Sequence, residues 1–524
     1  MGIDRLPGWG RALLNLALIV AVWEIVGQLR LVADGALPAP SAVLLRLVAD
    51  WGDYPGHIGA TLFGASAGFI IGNVIAIAAG IVFALYPVAS RVARGLNVAI
   101  FALPPIAISP ILVLTLSDPA PRIVLAAIGC YFVTMTATVV GLTQADARAV
   151  DVVRAYGGGK WAALRFVQWR SALPVILSGL RIAAPNAVLG SILAEFGGGG
   201  RWGLGVYLLG SLGRAEPDRL WGIGLVATGI AALAYFVFAA LASVVTRGTE
   251  AVTVPSAMLS GGDRARPLWQ QLLIGTASIV LPFALWWALL ALLRVPMMIA
   301  KTPPALFEYL FLLPNALLTQ GKLLAALAQT LPMTLLGMAA GLALAFALAL
   351  CSQLWPAIVR AFMPIALVTQ TMPLVALTPL LVLMLGRGPA VILWITISVT
   401  FFPAFVTMAQ GLLLVPRAAL DVPRAYGAGI VKQLRLVSVP ASLPYLFAAT
   451  RLTVPRALLG VMIAEWLATG TGLGNLLNQS RGYLDYGMIW AVAVISVLIS
   501  VLFYQLVVAV ERRTLGRLGM AIAE

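Results

Sequence analysis

The sequence is poor in the residue types on which most catalytic and metal sites depend. It contains one histidine and two cysteines in 524 residues, and only 10% of its residues are charged. Soluble domains carry about 25% charged residues, so this composition excludes a soluble enzyme. The scarcity of His and Cys argues against a metal site, a disulfide framework and His-based acid–base catalysis. We therefore expect no catalytic, cofactor-binding or metal-ligating residue in this chain.

Long apolar runs are what the sequence has in abundance, since 61% of its residues are hydrophobic. A helix needs about 20 apolar residues to cross the hydrocarbon core of a bilayer. Uncharged intervals of at least this length separate Arg94 from Asp118 and Asp485 from Glu511, among others. Together with three runs that contain charge, we count twelve such segments. The sequence therefore predicts an all-α integral membrane protein with twelve transmembrane helices.

The basic residues lie in short segments between the apolar runs. An even number of spans places both termini on the same side, and the segments on that side hold most of the Lys and Arg. Cytoplasmic loops carry such an excess, so we expect both termini in the cytoplasm. The net charge of +15 is thus explained by membrane topology, and no nucleic-acid partner is expected.

The chain repeats itself at an offset of 269 to 270 residues. Residues 151–196 and 421–466 share 19 identities in 46 positions, which indicates an internal duplication. Each copy has six predicted spans, so the copies enter the membrane in the same orientation as a parallel repeat. We divide the chain into a first repeat (1–246), a cytoplasmic linker (247–270) rich in small and polar residues, and a second repeat (271–524).

Paired glycines and prolines recur inside the spans. Gly68 and Gly72, like Gly337 and Gly341, are four residues apart and lie on one helix face, which predicts a close approach of another helix. Prolines such as Pro104 remove a backbone donor inside an apolar run, so we expect bends there.

The polar segment after the fourth span is the most informative part of each repeat. It reads DVVRAYGGGKWAALRFVQWRSALP in 151–174 and DVPRAYGAGIVKQLRLVSVPASLP in 421–444. An acidic residue that can cap a helix, Asp151 or Asp421, precedes glycines and an amphipathic stretch. Pro423 would then fall in a first helical turn. The pattern predicts a helix, a turn and a second helix on the cytoplasmic face.

These loops resemble the EAA motif of ABC importer permeases, with Asp in place of the usual Glu. Ala194-Glu195-Phe196 followed by Gly203-Leu204-Gly205, and its copy from Ala464, are similar to the nitrate, sulfonate, taurine and thiamine-precursor branch of that family. The resemblance implies two fused permease domains of an importer in the bacterial inner membrane. In that family, ATP and Mg²⁺ bind to a separate ATPase. The implied partners are two ATPase subunits, an extracytoplasmic solute-binding protein and the lipid bilayer.

The same resemblance assigns the loop residues to coupling with the ATPase. They are Asp151, Arg154, Ala155, Tyr156, Gly157, Gly159 and Pro174 in the first repeat, and Asp421, Arg424, Ala425, Tyr426, Gly427, Gly429 and Pro444 in the second. The implied substrate is a small solute that is anionic or similar to a vitamin precursor.

Polar side chains inside the predicted spans are candidates for a translocation path or an outer gate. They are Asn186, Ser191, Glu195, Gln370, Thr371, Thr450 and Glu465. The two glutamates could equally mark the ends of their helices. Charges inside spans are costly, so Arg181, Arg451 and Arg456 also need an explanation.

The main alternative is a secondary transporter with two six-helix repeats that is driven by an ion gradient. Such a protein would be expected to carry ionisable residues in mid-membrane, whereas most spans here have none. It would also leave the similarity of the two cytoplasmic loops unexplained.

Overall fold

The computed structural model describes residues 8–32, 35–198, 200–212, 214, 216–246, 267–355, 378, 381–382 and 384–519. Most of the predicted linker, Gln370, Thr371 and most of the predicted span between Arg360 and Arg387 lie outside these residues. Within them, the chain forms helices and no strand.

Twelve helices belong to the first repeat. They are α1 (Gly8–Gln28), α2 (Pro40–Ala49), α3 (Tyr54–Leu85), α4 (Pro87–Val92), α5 (Arg94–Ala102), α6 (Pro105–Thr115), α7 (Ala120–Thr143), α8 (Ala147–Ala155), α9 (Lys160–Ala163), α10 (Trp169–Phe196), α11 (Leu204–Leu212) and α12 (Pro217–Thr246).

The second repeat follows the same order in its described part. Its helices are α13 (Leu268–Leu292), α14 (Pro303–Phe311), α15 (Ala316–Leu354), α16 (Pro389–Leu413), α17 (Arg417–Ala425), α18 (Ile430–Gln433), α19 (Val439–Ala464), α20 (Gly472–Gly482) and α21 (Tyr486–Arg517). Short π-helical segments occupy Leu164–Gln168, Leu434–Ser438 and Glu465–Thr469.

Nine helices in the described residues are long and apolar enough to cross a membrane. Four belong to the first repeat and five to the second, and all coincide with predicted spans. Helix α1 coincides with the first predicted span, and its 21 residues extend about 30 Å, close to the thickness of the hydrocarbon core. The described part of the structure therefore confirms nine of the twelve predicted spans.

The predicted span between Arg94 and Asp118 is not a straight helix. It consists of α5 and α6, which meet at an angle of 96° and so form a broken span or a re-entrant loop. The break falls at Pro104 and Pro105, which lack the N–H groups that would continue the helix. The expectation of a bend at these prolines is confirmed.

The glycine pairs pack helices of the same repeat against each other. A Cβ on Gly72 of α3 would lie 2.6 Å from the Ala127 carbonyl oxygen in α7. A Cβ on Gly337 of α15 would lie 2.6 Å from Cβ of Thr396 in α16. Both distances are far below van der Waals contact, so these positions admit only glycine at this helix separation. The predicted packing role is confirmed.

Candidate coupling loops and translocation path

The first of the two predicted coupling loops is a helix, a turn and a second helix, as predicted, but its start was placed wrongly. The cap of α8 is Asp146, whose carboxylate accepts a hydrogen bond of 2.9 Å from the Arg148 backbone N–H. Asp151 lies inside α8, where its carboxylate pairs with Arg154 at 3.2 Å. The helix begins earlier because Asp146 offers the same capping group ahead of Ala147, a strong helix former.

The second loop begins early as well. Asp421 lies inside α17 and pairs with Arg424 at 3.4 Å, and Pro416 precedes the helix. Pro423 is therefore in the interior of α17 and not in its first turn. The helix ends two residues later, at Ala425, so the missing proline N–H interrupts only its last part.

A left-handed glycine ends the first helix of each loop. Gly157 has φ +80° and Gly427 has φ +73°, a region that other residues rarely adopt. The N–H of each glycine donates to the carbonyl of the arginine three residues before it, at 2.9 Å in both repeats. The two loops thus share one backbone conformation although their sequences have diverged.

Each loop exposes apolar side chains at equivalent positions. Tyr156 is 90% exposed and Tyr426 is 88% exposed, and Val152 and Val422 are also largely exposed. Exposed aromatic and aliphatic groups of this kind can contribute to contact with another protein. We call Val152 with Tyr156, and Val422 with Tyr426, the loop patches.

The turns of the two loops are held by different side chains. In the second repeat, Gln433 donates to the Ala428 carbonyl at 2.7 Å and accepts from Arg424 at 3.1 Å. Alanine occupies the corresponding position in the first repeat, where Lys160 instead lies 5.3 Å from the centre of the Tyr86 ring. The loops therefore present the same shape with different polar surroundings.

From each turn, a single continuous helix leads across the membrane. It covers Lys160–Phe196 in the first repeat and Ile430–Thr469 in the second, and Pro174 and Pro444 lie inside it. At about 1.5 Å per residue, each extends more than roughly 50 Å. A π-turn joins loop and span in both repeats, where the Trp169 N–H bonds the Leu164 carbonyl and the Val439 N–H bonds the Leu434 carbonyl. Movement of a loop can thus be passed directly to its span.

The predicted glutamates lie at the far end of these helices and are buried. The Glu195 carboxylate accepts hydrogen bonds from Thr61 at 2.8 Å and from the Gly205 N–H at 2.7 Å. Thr61 also accepts from the Leu204 N–H at 2.9 Å. These contacts tie the end of α10 to α3 and to the start of α11.

The second repeat makes the same arrangement. Glu465 accepts from Thr330 at 2.8 Å and from the Gly474 N–H at 2.9 Å, while Thr330 accepts from the Leu473 N–H at 2.9 Å. Both glutamates are satisfied inside their own repeats. Their assignment to an outer gate stays a prediction.

One contact at this end joins the two repeats. Arg481 of α20 donates to the Phe196 carbonyl, the last residue of α10, at 3.1 Å. Its guanidinium lies 5.3 Å from the centre of the Trp466 ring. Burial lowers the pKa of Arg481. Arg481 of the second repeat thus caps the C-terminus of α10 in the first repeat.

The short helices beyond the spans are held by ion pairs and hydrogen bonds. Arg219 binds Asp50 through two nitrogens at 2.6 and 2.9 Å, which lowers the pKa of Asp50. In the second repeat, Tyr309 donates to Asp485 at 3.1 Å. Burial, together with the charge of Asp485, raises the pKa of Tyr309 to about 12. The short helices are thus held by an ion pair in the first repeat and by a hydrogen bond from a tyrosine to an aspartate in the second.

A cavity of about 220 Å³ lies between the two repeats. Helices α5, α6, α7, α10 and α12 of the first repeat line it together with α16 and α19 of the second. Asn186, one of the predicted path residues, is in its wall, and so is Arg456. These two residues occupy equivalent positions of the two repeats.

The other predicted path residues lie elsewhere. Ser191 is buried and donates to the Thr61 carbonyl at 3.1 Å, beside Glu195. Thr450 donates to the Leu446 carbonyl of its own helix at 2.8 Å. Gln370 and Thr371 are outside the described residues. No group of three or more His, Cys, Asp or Glu that could hold a metal occurs in the described part of the chain.

Two features of the site were missed by sequence reasoning. The partner of each glutamate is a threonine more than 130 residues away, Thr61 or Thr330, and these two threonines are related by the repeat offset of 269 residues. The sequence therefore did contain an indication of this contact, because each repeat has a threonine at the same position. Arg456 was recognised as a charge inside a span but was not assigned to the path.

Residues 72–251 and 341–516 each match the family of binding-protein-dependent transport system inner membrane components. The two matches together cover more than half of the chain. The chain belongs to this permease family. Two permease domains fused in one chain account for the internal repeat, and the family places the protein in the inner membrane as a multi-pass transport component.

Individual relatives agree with this assignment. The permease is 30% identical over 224 residues to a probable ABC transporter permease protein of Haemophilus influenzae, which covers 42% of this chain and 87% of the relative. It is 30% identical to the putative aliphatic sulfonates transport permease protein of Bacillus subtilis, over 36% of this chain and 70% of the relative. It is also 30% identical to the riboflavin transport system permease protein of Chloroflexus aurantiacus, over 29% and 57% of the two chains.

Proposed function

We propose that this permease is the transmembrane subunit of an ATP-driven importer. Two ATPase subunits bind the two loop patches, and an external solute-binding protein delivers the substrate to the opposite face. The substrate is a small solute that is anionic or similar to a vitamin precursor. The observation that carries this proposal is the pair of exposed loops with one backbone conformation, since one symmetric partner would require the same surface twice.

The long helices suggest how ATP binding would act on the path. Closure of an ATPase pair would move the loops toward each other, and each loop continues without interruption into a helix that lines the cavity. The cavity lies at the contact of the two repeats, so a change in their separation would open it to one side or the other. This is alternating access by a shift between two states. ATP and Mg²⁺ are bound by the partner subunits.

The orientation follows from the same assignment. Loops that bind ATPases lie in the cytoplasm, and the Lys- and Arg-rich segments around them agree with this side. With an even number of spans, both termini are then cytoplasmic.

The gradient-driven alternative is disfavoured by the family match and by the loop patches. A transporter that works alone needs no pair of exposed aromatic residues at equivalent cytoplasmic positions. The two hypotheses differ in one direct observable, which is whether soluble ATPase subunits remain bound to the purified permease.

The test is the mass of the detergent-solubilised complex, purified through a tag on the permease after co-expression with its chromosomal neighbours. We expect one permease chain with two ATPase subunits. The variant Tyr156→Ala/Tyr426→Ala should lose ATPase subunits while the permease still inserts in the membrane. Tyr483→Ala is the matched control, because Tyr483 is 84% exposed but lies between α20 and α21, away from the loops.

A permease that purifies alone and still transports would contradict the proposal. The Tyr483 variant should keep its ATPase subunits and the double variant should lose them. Either opposite result would mean that ATPase binding does not depend specifically on the loop patches.

A further inference from the structure

The wall of the cavity between the repeats includes a cation that forms no ion pair with the described residues. Arg456 lies in α19 and lines the cavity together with residues of α5, α6 and α7 of the first repeat. A charged group inside a membrane protein is costly unless it has a partner or a function. Its surroundings therefore decide what it does.

No carboxylate among the described residues pairs with Arg456, in contrast to Arg451 of the same helix. Arg451, five residues earlier, forms an ion pair of 2.6 Å with Glu511. Arg181 lies over the Tyr235 ring at 5.2 Å. The sequence contains no Asp or Glu between Glu308 and Asp421, so the residues of this stretch that lie outside the described ranges cannot supply a carboxylate either.

The residue at the position equivalent to Arg456 in the first repeat supports a binding role. Its counterpart in the first repeat, Asn186, lines the same cavity and carries an amide that can donate hydrogen bonds. Ser398 adds a hydroxyl to the wall, and most of the other described residues that line the cavity are apolar. A few polar groups that converge in an apolar cavity are typical of a small-molecule site. One planar cation among them favours an oxyanion.

The N-terminal end of α6 also contributes positive electrostatic potential to the cavity. Pro105, the first residue of this helix, is part of the cavity wall. The N-terminal end of a helix carries partial positive charge and favours anions. It supports the arginine and would not make a site alone.

We propose that Arg456 and Asn186 bind the negatively charged group of a small anionic solute in this cavity during its passage between the repeats. This inference rests on the proposed function, because it places a site on the path of an importer. The proposed site narrows the possible substrates to anionic solutes. An oxyanion of the sulfonate type fits the site, whereas a neutral solute would leave the arginine charge unpaired.

The test measures the charge preference of the cavity without knowledge of the natural substrate. A cysteine replaces Ser398, whose hydroxyl bonds the Trp394 carbonyl of its own helix, in a background with Cys130→Ala and Cys351→Ala. The purified complex with its ATPases then reacts, with and without ATP, with an anionic sulfonatoethyl and a cationic trimethylammonioethyl methanethiosulfonate. The ratio of the two reaction rates reports the local potential.

We expect the anionic reagent to react faster, and Arg456→Gln to lower the rate ratio by about tenfold or more, because a unit charge acts strongly inside a cavity of low polarity. The exchange variant Asn186→Arg/Arg456→Asn should restore the preference, since the cation then lies at the equivalent position of the first repeat, which lines the same cavity. If Arg456 had only a structural role, an arginine at position 186 could not take over its effect on the rate ratio.

A ratio that is unchanged in Arg456→Gln, or an exchange variant that behaves like Arg456→Gln, would overturn the inference. Failure of both reagents to react in either nucleotide state would also overturn it, because the cavity would then not open to solutes. The ATPase content of each preparation is measured in parallel. A complex with two ATPases and no charge preference would refute the anion site alone, and the absence of ATPases would refute the proposed function.

Discussion

The hydroxyl of Thr61 donates a hydrogen bond of 2.8 Å to the carboxylate of Glu195, 134 residues further along the chain. The second repeat has the same bond between Thr330 and Glu465. In both repeats the threonine oxygen also accepts from the backbone of the short helix that follows. The bond therefore fixes three segments at the end of the long helix that starts at the proposed coupling loop.

Replacing Thr61 with valine keeps the shape of the side chain and removes both of its hydrogen bonds. The Glu195 carboxylate and the Leu204 N–H would lose a partner in a buried site. We expect a loss of about 1–3 kcal/mol, measured as a lower unfolding temperature of the purified permease. Thr115→Val is the control, since the Thr115 hydroxyl bonds the Ile111 carbonyl of its own helix. Equal losses in the two variants would contradict a special role for Thr61.

The glycine turns give a prediction on coupling. A Cβ at Gly157 or Gly427 would meet no atom within 4 Å, so only the positive φ restricts these positions. Gly157→Asn/Gly427→Asn should retain coupled uptake because asparagine tolerates this region. Gly157→Val/Gly427→Val should distort both loops and uncouple ATP hydrolysis from uptake, without loss of membrane insertion.

Gly159 provides the matched control for these variants. It also has open space around a Cβ, but its φ of −80° is allowed for any residue. Valine at Gly159 should leave uptake and ATP hydrolysis coupled. If it uncouples them as strongly as valine at Gly157, backbone conformation is not the reason.

The spans, the repeat and the loops could be predicted because each depends on local patterns. Apolar length reports a membrane helix, and two similar halves report a duplication. Even there, the helix starts were misplaced, because Asp146 and Asp151 are both plausible caps and only the structure shows which N–H groups are free. The angle of 96° between α5 and α6 was beyond the sequence, since prolines predict a bend but not its size.

The contacts of the site could not be predicted, because they join residues that are distant in sequence. Arg456 and Arg451 are both arginines in one helix, five residues apart, and nothing local distinguishes them. Glu511, 60 residues beyond Arg451, pairs with one of them and leaves the other at the cavity. Such differences arise from packing between the elements.

The ion pair of Asp50 predicts a dependence of stability on pH. Arg219 lowers the pKa of Asp50, so the pair contributes its full stability above the unfolded pKa of about 3.9 and loses it as the pH falls through the lower folded pKa. Near neutral pH, Asp50→Asn should cost roughly 3 kcal/mol, because it leaves the largely buried Arg219 without its main partner. At neutral pH the unfolding temperature of Asp50→Asn should be lower than that of the unchanged permease. At acidic pH the unfolding temperatures of the two proteins should converge.

The surface pair of Asp151 and Arg154 is the control for that measurement. Both side chains are more than 60% exposed, so Asp151→Asn should change stability by less than about 1 kcal/mol at any of these pH values. A loss as large as that of Asp50→Asn would mean that the unfolding temperature does not report individual ion pairs in this protein.

Equivalent arginines of the two repeats should differ in their contribution to stability. Arg451 pairs with the buried carboxylate of Glu511 at 2.6 Å, so Arg451→Gln leaves that carboxylate without its partner and should cost roughly 3–5 kcal/mol. Arg181 lies over the Tyr235 ring, and Arg181→Gln should cost only about 1 kcal/mol. Thermal unfolding of the two variants measures the difference. Because both arginines occupy the same position of the repeat, equal losses would mean that their place in the helix, and not Glu511, determines their contribution.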